Sequence, residues 1–205
     1  MLQKNLITLG IALGVLFLTV ATFFYPGGTI NNEFSVGYSW SENYISHLLR
    51  PLAVNGMENP ARPWAIIGVL LFTGAFGLFF FQFSEFIKVK SAAFIIKYLG
   101  VLGTFLGFLV IVPSLHDLMV SLTSFLSLLI FFYLTAFVIK AKKTILALMS
   151  VLFLLLFYFA TFMYSTRFHL EYMPLMQKIA FLVKIVWILS LTFFTKKEDF
   201  ENILK

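Results

Sequence analysis

The sequence predicts an all-α polytopic membrane bundle of six transmembrane helices, with a long first outer loop that contains a short interfacial helix. Two observations carry this. The 205 residues are 60% hydrophobic and only 12% charged, about half the charged fraction of an ordinary soluble domain, so the apolar surplus cannot all be hidden from water in one globule. Six segments also reach the roughly 20 apolar residues that a helix needs to cross the hydrocarbon core. None of them alternates with the period of two that a membrane β-barrel strand shows.

The spans run at about 5–24, 64–83, 92–112, 118–139, 144–164 and 174–194, a single transmembrane domain filling 1–205. The first has a longer apolar run than a signal-peptide h-region and no A-x-A site after it, so it reads as a retained anchor. Gly10-x-x-x-Gly14 within it, and Gly103-x-x-x-Gly107 with Gly100 in the third span, have the small-residue spacing that lets helix backbones approach closely. Pro26-Gly27-Gly28 ends the first span. The loop that follows, from Tyr25 to Pro63, is far longer than any other connection, and loops of that length in a compact protein usually serve a function. Ile45, Leu48, Leu49 and Leu52 fall at helical spacing within it, which predicts a short helix on the bundle mouth. Tyr38, Trp40 and Tyr44 suit headgroup depth. The segment reads either as a structural cap or as a lid over an amphipathic ligand.

Pro113 breaks the chain before the fourth span. Ser114-x-x-Asp117 matches a capping box, and Ser121 and Ser124 continue from Asp117 as a polar stripe expected to face the bundle interior. The segments Lys140–Lys143 and Arg167–Glu171 bound the fifth span. The sixth carries Lys184 near its middle, a charge that either snorkels along a lipid-facing groove or serves an internal role; Trp187, one turn on, is its candidate cation–π partner.

The positive-inside rule sets the orientation. With the N-terminus inside, the cytoplasmic flanks hold Lys4, Lys88, Lys90, Lys97, Lys140, Lys142, Lys143, Lys196, Lys197 and Lys205, while the outer side holds only Arg50, Arg62, Arg167 and Lys178. Both termini are therefore expected in the cytoplasm, in a cell inner (plasma) membrane. The net charge of +6 belongs to these flanks. No basic stretch is longer than a pair, which excludes a nucleic-acid partner.

All three histidines and all three arginines fall on the outer side. The candidate ligand-binding residues are His47, Arg50, His116, Asp117, Arg167, His169 and Glu171, lining an outward-facing polar pocket, with arginine suited to an anionic headgroup because its planar fork donates two parallel hydrogen bonds. Membrane lipids are the expected partners. With no cysteine, thiolate chemistry is excluded. A rival reading uses His47, His116 and His169 as zinc ligands of a metal-dependent lipid hydrolase. A serine hydrolase has little support, since Ser46 cannot face His47 on a helix and no G-x-S-x-G elbow is present. A small transporter would need an internal repeat, which the spans do not show. A scaffold subunit acting with a partner protein, or as a homo-oligomer, completes the alternatives.

The chain resembles the domain-of-unknown-function family 998 of six-helix membrane proteins. The residues that carry the likeness are Asn43-Tyr44-Ile45-Ser46-His47-Leu48, Asn59-Pro60 before the second span, Pro113 to His116, and Pro174-Leu175-Met176-Gln177-Lys178-Ile179 leading to Trp187. The family often has an acid where this chain has His47. The first-loop pattern is also similar to the Frag/DRAM/Sfk group. The resemblance implies six helices and lipid-linked work, with no established reaction.

Overall fold

The structure, a computed structural model, describes residues 2–203; the C-terminal Lys205 lies outside them. Six helices are long and apolar enough to cross a membrane, and the protein is a multi-pass membrane protein. They are α1 (Leu2–Phe23), α2 (Arg62–Ser84), α3 (Lys90–Leu109), α4 (His116–Lys140), α5 (Thr144–Thr166) and α6 (Met173–Phe194). Each packs on its neighbour in sequence, and α6 returns to α1 and α2. The result is a ring of antiparallel helices with the start of α1 and the end of α6 at one end and the long first loop at the other, here called the cap end.

Helices in lipid gain no hydrophobic drive from touching each other, so close packing and a few hydrogen bonds must hold them together. At the α1–α2 seam, glycines supply the closeness. A Cβ on Gly14 would stand 2.7 Å from the Phe72 ring, and one on Gly10 would stand 2.9 Å from Ala75. The end near the termini is filled with rings instead. Trp187 is fully buried, stacks on Phe153 at 4.6 Å and meets Phe131 edge-on at 5.5 Å. Its indole N–H donates to Ser150 Oγ at 2.7 Å, which satisfies the one polar atom that burial would otherwise strand. Phe200, in the turn after α6, packs edge-on to Phe83 at 5.2 Å and seals this end from below.

Toward the cap end the interior opens. α3 contains a π turn at Ile95–Leu99, which rotates the residues after it relative to those before it. Beyond it, Gly100, Gly103, Thr104 and Gly107 line an internal cavity. The two small-residue motifs therefore serve different ends: Gly10 and Gly14 close a seam, whereas Gly103 and Gly107 leave room.

Candidate functional site

The cap, residues 24–61, is built around two buried asparagines. Asn43 takes the Ser39 N–H on its side-chain oxygen at 2.8 Å and donates from its nitrogen to the Gly28 carbonyl at 2.7 Å. Asn59 donates to the carbonyls of His47, Leu48 and Arg50 and accepts the Ala61 N–H. A segment with little regular secondary structure has few backbone partners of its own, so these amides satisfy the polar groups that burial would strand. Gly28 has φ +84°, and a Cβ there would lie 2.3 Å from the Asn55 nitrogen; only glycine fits this turn.

The expected short helix is present as a five-residue 3-10 turn, Ile45–Leu49, with Leu48 and Leu49 buried. Leu52 departs from that face and is exposed. The cap is tied to α6 twice, by the Ile45 N–H donating to Gln177 Oε1 at 2.8 Å and by the Lys178 ammonium donating to the Asn43 carbonyl. These ties were not legible in sequence, where Lys178 counted as an outer-side charge and, with Gln177, as part of a family likeness.

Beneath the cap, three cavities share walls. A mouth of about 420 Å³ lies between Pro51–Leu52 and Pro113–Asp117. A polar chamber of about 550 Å³ is bordered by His47, Arg50, His116, Asp117, Arg167 and Lys184. An inner chamber of about 330 Å³ is walled by Phe72, Phe76, Phe80 and the α3 glycines. Ser46 borders all three, and Lys184, Gln177 and Phe181 stand where the polar and inner chambers meet.

Of the residues expected in a common pocket, five converge on the polar chamber: His47, Arg50, His116, Asp117 and Arg167. His169 and Glu171 do not. They pair with each other at 2.8 Å in the α5–α6 loop, both exposed. The three-histidine metal reading is thereby corrected. Among the described residues no group of three or more His, Cys, Asp or Glu side chains could hold a metal ion. His47 is engaged inside the cap, His116 is held by Asp117, and His169 is turned away on a left-handed backbone (φ +48°).

Three further expectations change. Ser114 and Asp117 form no capping box: Pro113–Leu115 is a 3-10 turn, α4 starts at His116 without a side-chain cap, and the Asp117 carboxylate accepts from His116 Nδ1 at 2.9 Å. The polar stripe is rotated. Ser124 reaches the chamber, but Ser121 folds back to the Asp117 carbonyl, and Thr123 and Ser127 line the inner chamber instead. Of its two readings Lys184 takes the inward one, but not with Trp187 as its ring partner. Its ammonium lies over the rings of Phe76 at 4.3 Å and Phe131 at 5.5 Å, and Trp187 points to the packed end.

The chamber is electropositive. Arg50, Arg167 and Lys184 have no carboxylate within ion-pair distance among the described residues, and the single bordering acid, Asp117, is spent on His116. His47 adds a neutral donor. Burial, helped by the Arg50 and Lys178 charges, lowers its pKa from 6.5 to about 4. Asn43 Nδ2 lies 3.1 Å from His47 Nδ1; because the Asn43 amide is oriented by Ser39 and Gly28, Nδ1 must accept, and the proton sits on Nε2.

Comparison with protein-family models, with curated proteins and with solved structures finds no match for this chain.

Proposed function

We propose that the protein binds an anionic amphipathic lipid, headgroup in the polar chamber and chain in the inner one. The observation that carries this is the arrangement of three unpaired cations, Arg50, Arg167 and Lys184, around one cavity that adjoins an apolar, phenylalanine-walled space. Holding the Lys184 ammonium among phenylalanine rings is costly, and a bound phosphate or carboxylate offsets that cost, with the exposed Arg50 and Arg167 completing the site. Guanidinium groups supply the directional part of the recognition, and His47 Nε2–H adds a neutral hydrogen bond.

With both termini in the cytoplasm of a plasma or inner membrane, as the lysine distribution indicates, the chamber opens to the outer leaflet and the lipid is drawn from there. Membership in the domain-of-unknown-function family 998 is part of this proposal, and the lipid association of the similar Frag/DRAM/Sfk group agrees with it. Mass spectrometry of lipids copurified with the protein tests the reading: Arg167→Ala and Arg50→Ala should each lower the content of anionic lipid, and unchanged content in the double variant would overturn it.

A further inference from the structure

Ser46, His116 and Asp117 border the chamber with a hydroxyl, an imidazole and a carboxylate. Asp117 Oδ1 lies 2.9 Å from His116 Nδ1. An ionised carboxylate only accepts, so Nδ1 carries the proton and Nε2 presents a lone pair. That Nε2 is buried and has no hydrogen-bond donor among the described residues. Ser46 is half-buried and borders both the mouth and the polar chamber that His116 also borders. A base without a donor and a serine hydroxyl thus line one cavity, and a third group orients the base. That is the logic of an activated nucleophile. His47, the neighbour of Ser46 in sequence, is unsuited to the base role because its Nε2 already carries the proton; it can only donate, as a group that stabilises an oxyanion does.

We propose that the chamber is a serine esterase site acting on a carboxylic ester of the anionic amphiphile it binds; the inference rests on the binding reading above. His116 Nε2 takes the Ser46 hydroxyl proton as Oγ attacks the ester carbonyl carbon. The bond from that carbon to the alcohol oxygen breaks, the leaving oxygen takes the proton from Nε2, and an acyl group remains on Ser46. Water then gives a proton to Nε2 as its oxygen attacks the acyl carbon, and Ser46 leaves, recovering that proton. The sum is ester plus water to carboxylic acid plus alcohol. Asp117 is a positioning residue that holds the tautomer of His116. Arg50 and Arg167 anchor the anionic part of the substrate.

The test treats the full chain, in nanodiscs of its native lipids, with an alkyl fluorophosphonate and locates the adduct by mass spectrometry, alongside the copurified lipid. The expected result is an adduct on Ser46, formed on the order of 100-fold more slowly in His116→Gln, as loss of a general base implies, and slowed in Asp117→Asn with a shifted pH profile. Ser46→Ala should give no adduct yet retain its lipid. Asp117 is exposed, so its variant folds even where the His116 variant does not. No adduct on Ser46 in a protein that retains its lipid would overturn the esterase and leave the binding reading standing. An adduct formed equally fast in both His116→Gln and Asp117→Asn would also overturn it. Loss of anionic lipid selectivity in the Arg50 and Arg167 variants bears on binding alone.

Discussion

The side-chain oxygen of Gln177, one turn into α6, accepts the backbone N–H of Ile45 at 2.8 Å across a sequence separation of 132 residues. This bond joins the start of the cap's 3-10 turn to the helix that carries Lys184, and it lies where the polar and inner chambers meet. Gln177→Leu leaves the part-buried Ile45 N–H without its acceptor, a loss of about 1–3 kcal/mol. The expected outcome is a lower melting temperature in detergent and faster proteolysis within residues 24–61. Unchanged cleavage of the cap would show that the tie is dispensable.

Protonation of His47 should make stability depend on pH. Its folded pKa, about 4, lies below the ordinary value of 6.5 because the ring is buried among cations. Between those values the unfolded chain binds the proton and the folded chain does not, so stability is fully present above about pH 6.5 and is lost as pH falls toward 4. The loss amounts to about 3 kcal/mol at most. Thermal unfolding of the wild type and of His47→Gln between pH 7.5 and 4 checks this, the variant having the flatter profile.

Arg167 ends α5 with φ +60°, a left-handed conformation that an L side chain occupies at a cost, about 1 kcal/mol. Arg167→Gly should relieve that strain while removing a guanidinium from the chamber. A raised melting temperature together with reduced anionic lipid is the expected pair of results. Reduced lipid with reduced stability would mean that Arg167 is structural.

Lys184 places an ammonium over Phe76 and Phe131. Lys184→Met keeps the volume and the apolar contacts while removing the charge. Folding should be unimpaired, since a membrane-buried cation is costly, and retention of the anionic lipid should fall several-fold. Retention equal to the wild type would remove Lys184 from the site.

The packed end supplies a control. Ser150→Ala deprives the buried Trp187 indole of its acceptor and should destabilise the bundle by about 1–3 kcal/mol without changing which lipid is bound. A changed lipid profile would mean that the packed end communicates with the chamber.

Much of this architecture could be read along the chain. The Gly10–Gly14 spacing foretold a close seam, and Ile45, Leu48, Leu49 and Leu52 foretold a short helix on the bundle mouth, which is a 3-10 turn that ends before Leu52. His47, Arg50, His116, Asp117 and Arg167 were expected in one pocket and meet there. Other parts were misread for identifiable reasons. Ser114-x-x-Asp117 has the letters of a capping box, but the 3-10 turn at Pro113 moves the helix start past the serine. Histidine count suggested a metal, yet the left-handed turn at His169 points it elsewhere. Asn43, Asn59 and Gln177 stood out only through a family likeness, because nothing about an isolated amide tells which distant carbonyl or N–H it will meet.

Composition and segment length by themselves determined that this chain lives in a membrane as six helices. The reason is that crossing hydrocarbon is a local requirement, met or failed within each stretch of about 20 residues. Only the tertiary structure decided that Lys184 faces inward, that Ser124 but not Ser121 reaches the chamber, and that the His116 Nε2 is left without a donor. Those outcomes depend on how far each helix is rotated about its own axis, and that rotation is set by seams, rings and cap bonds between residues far apart in sequence.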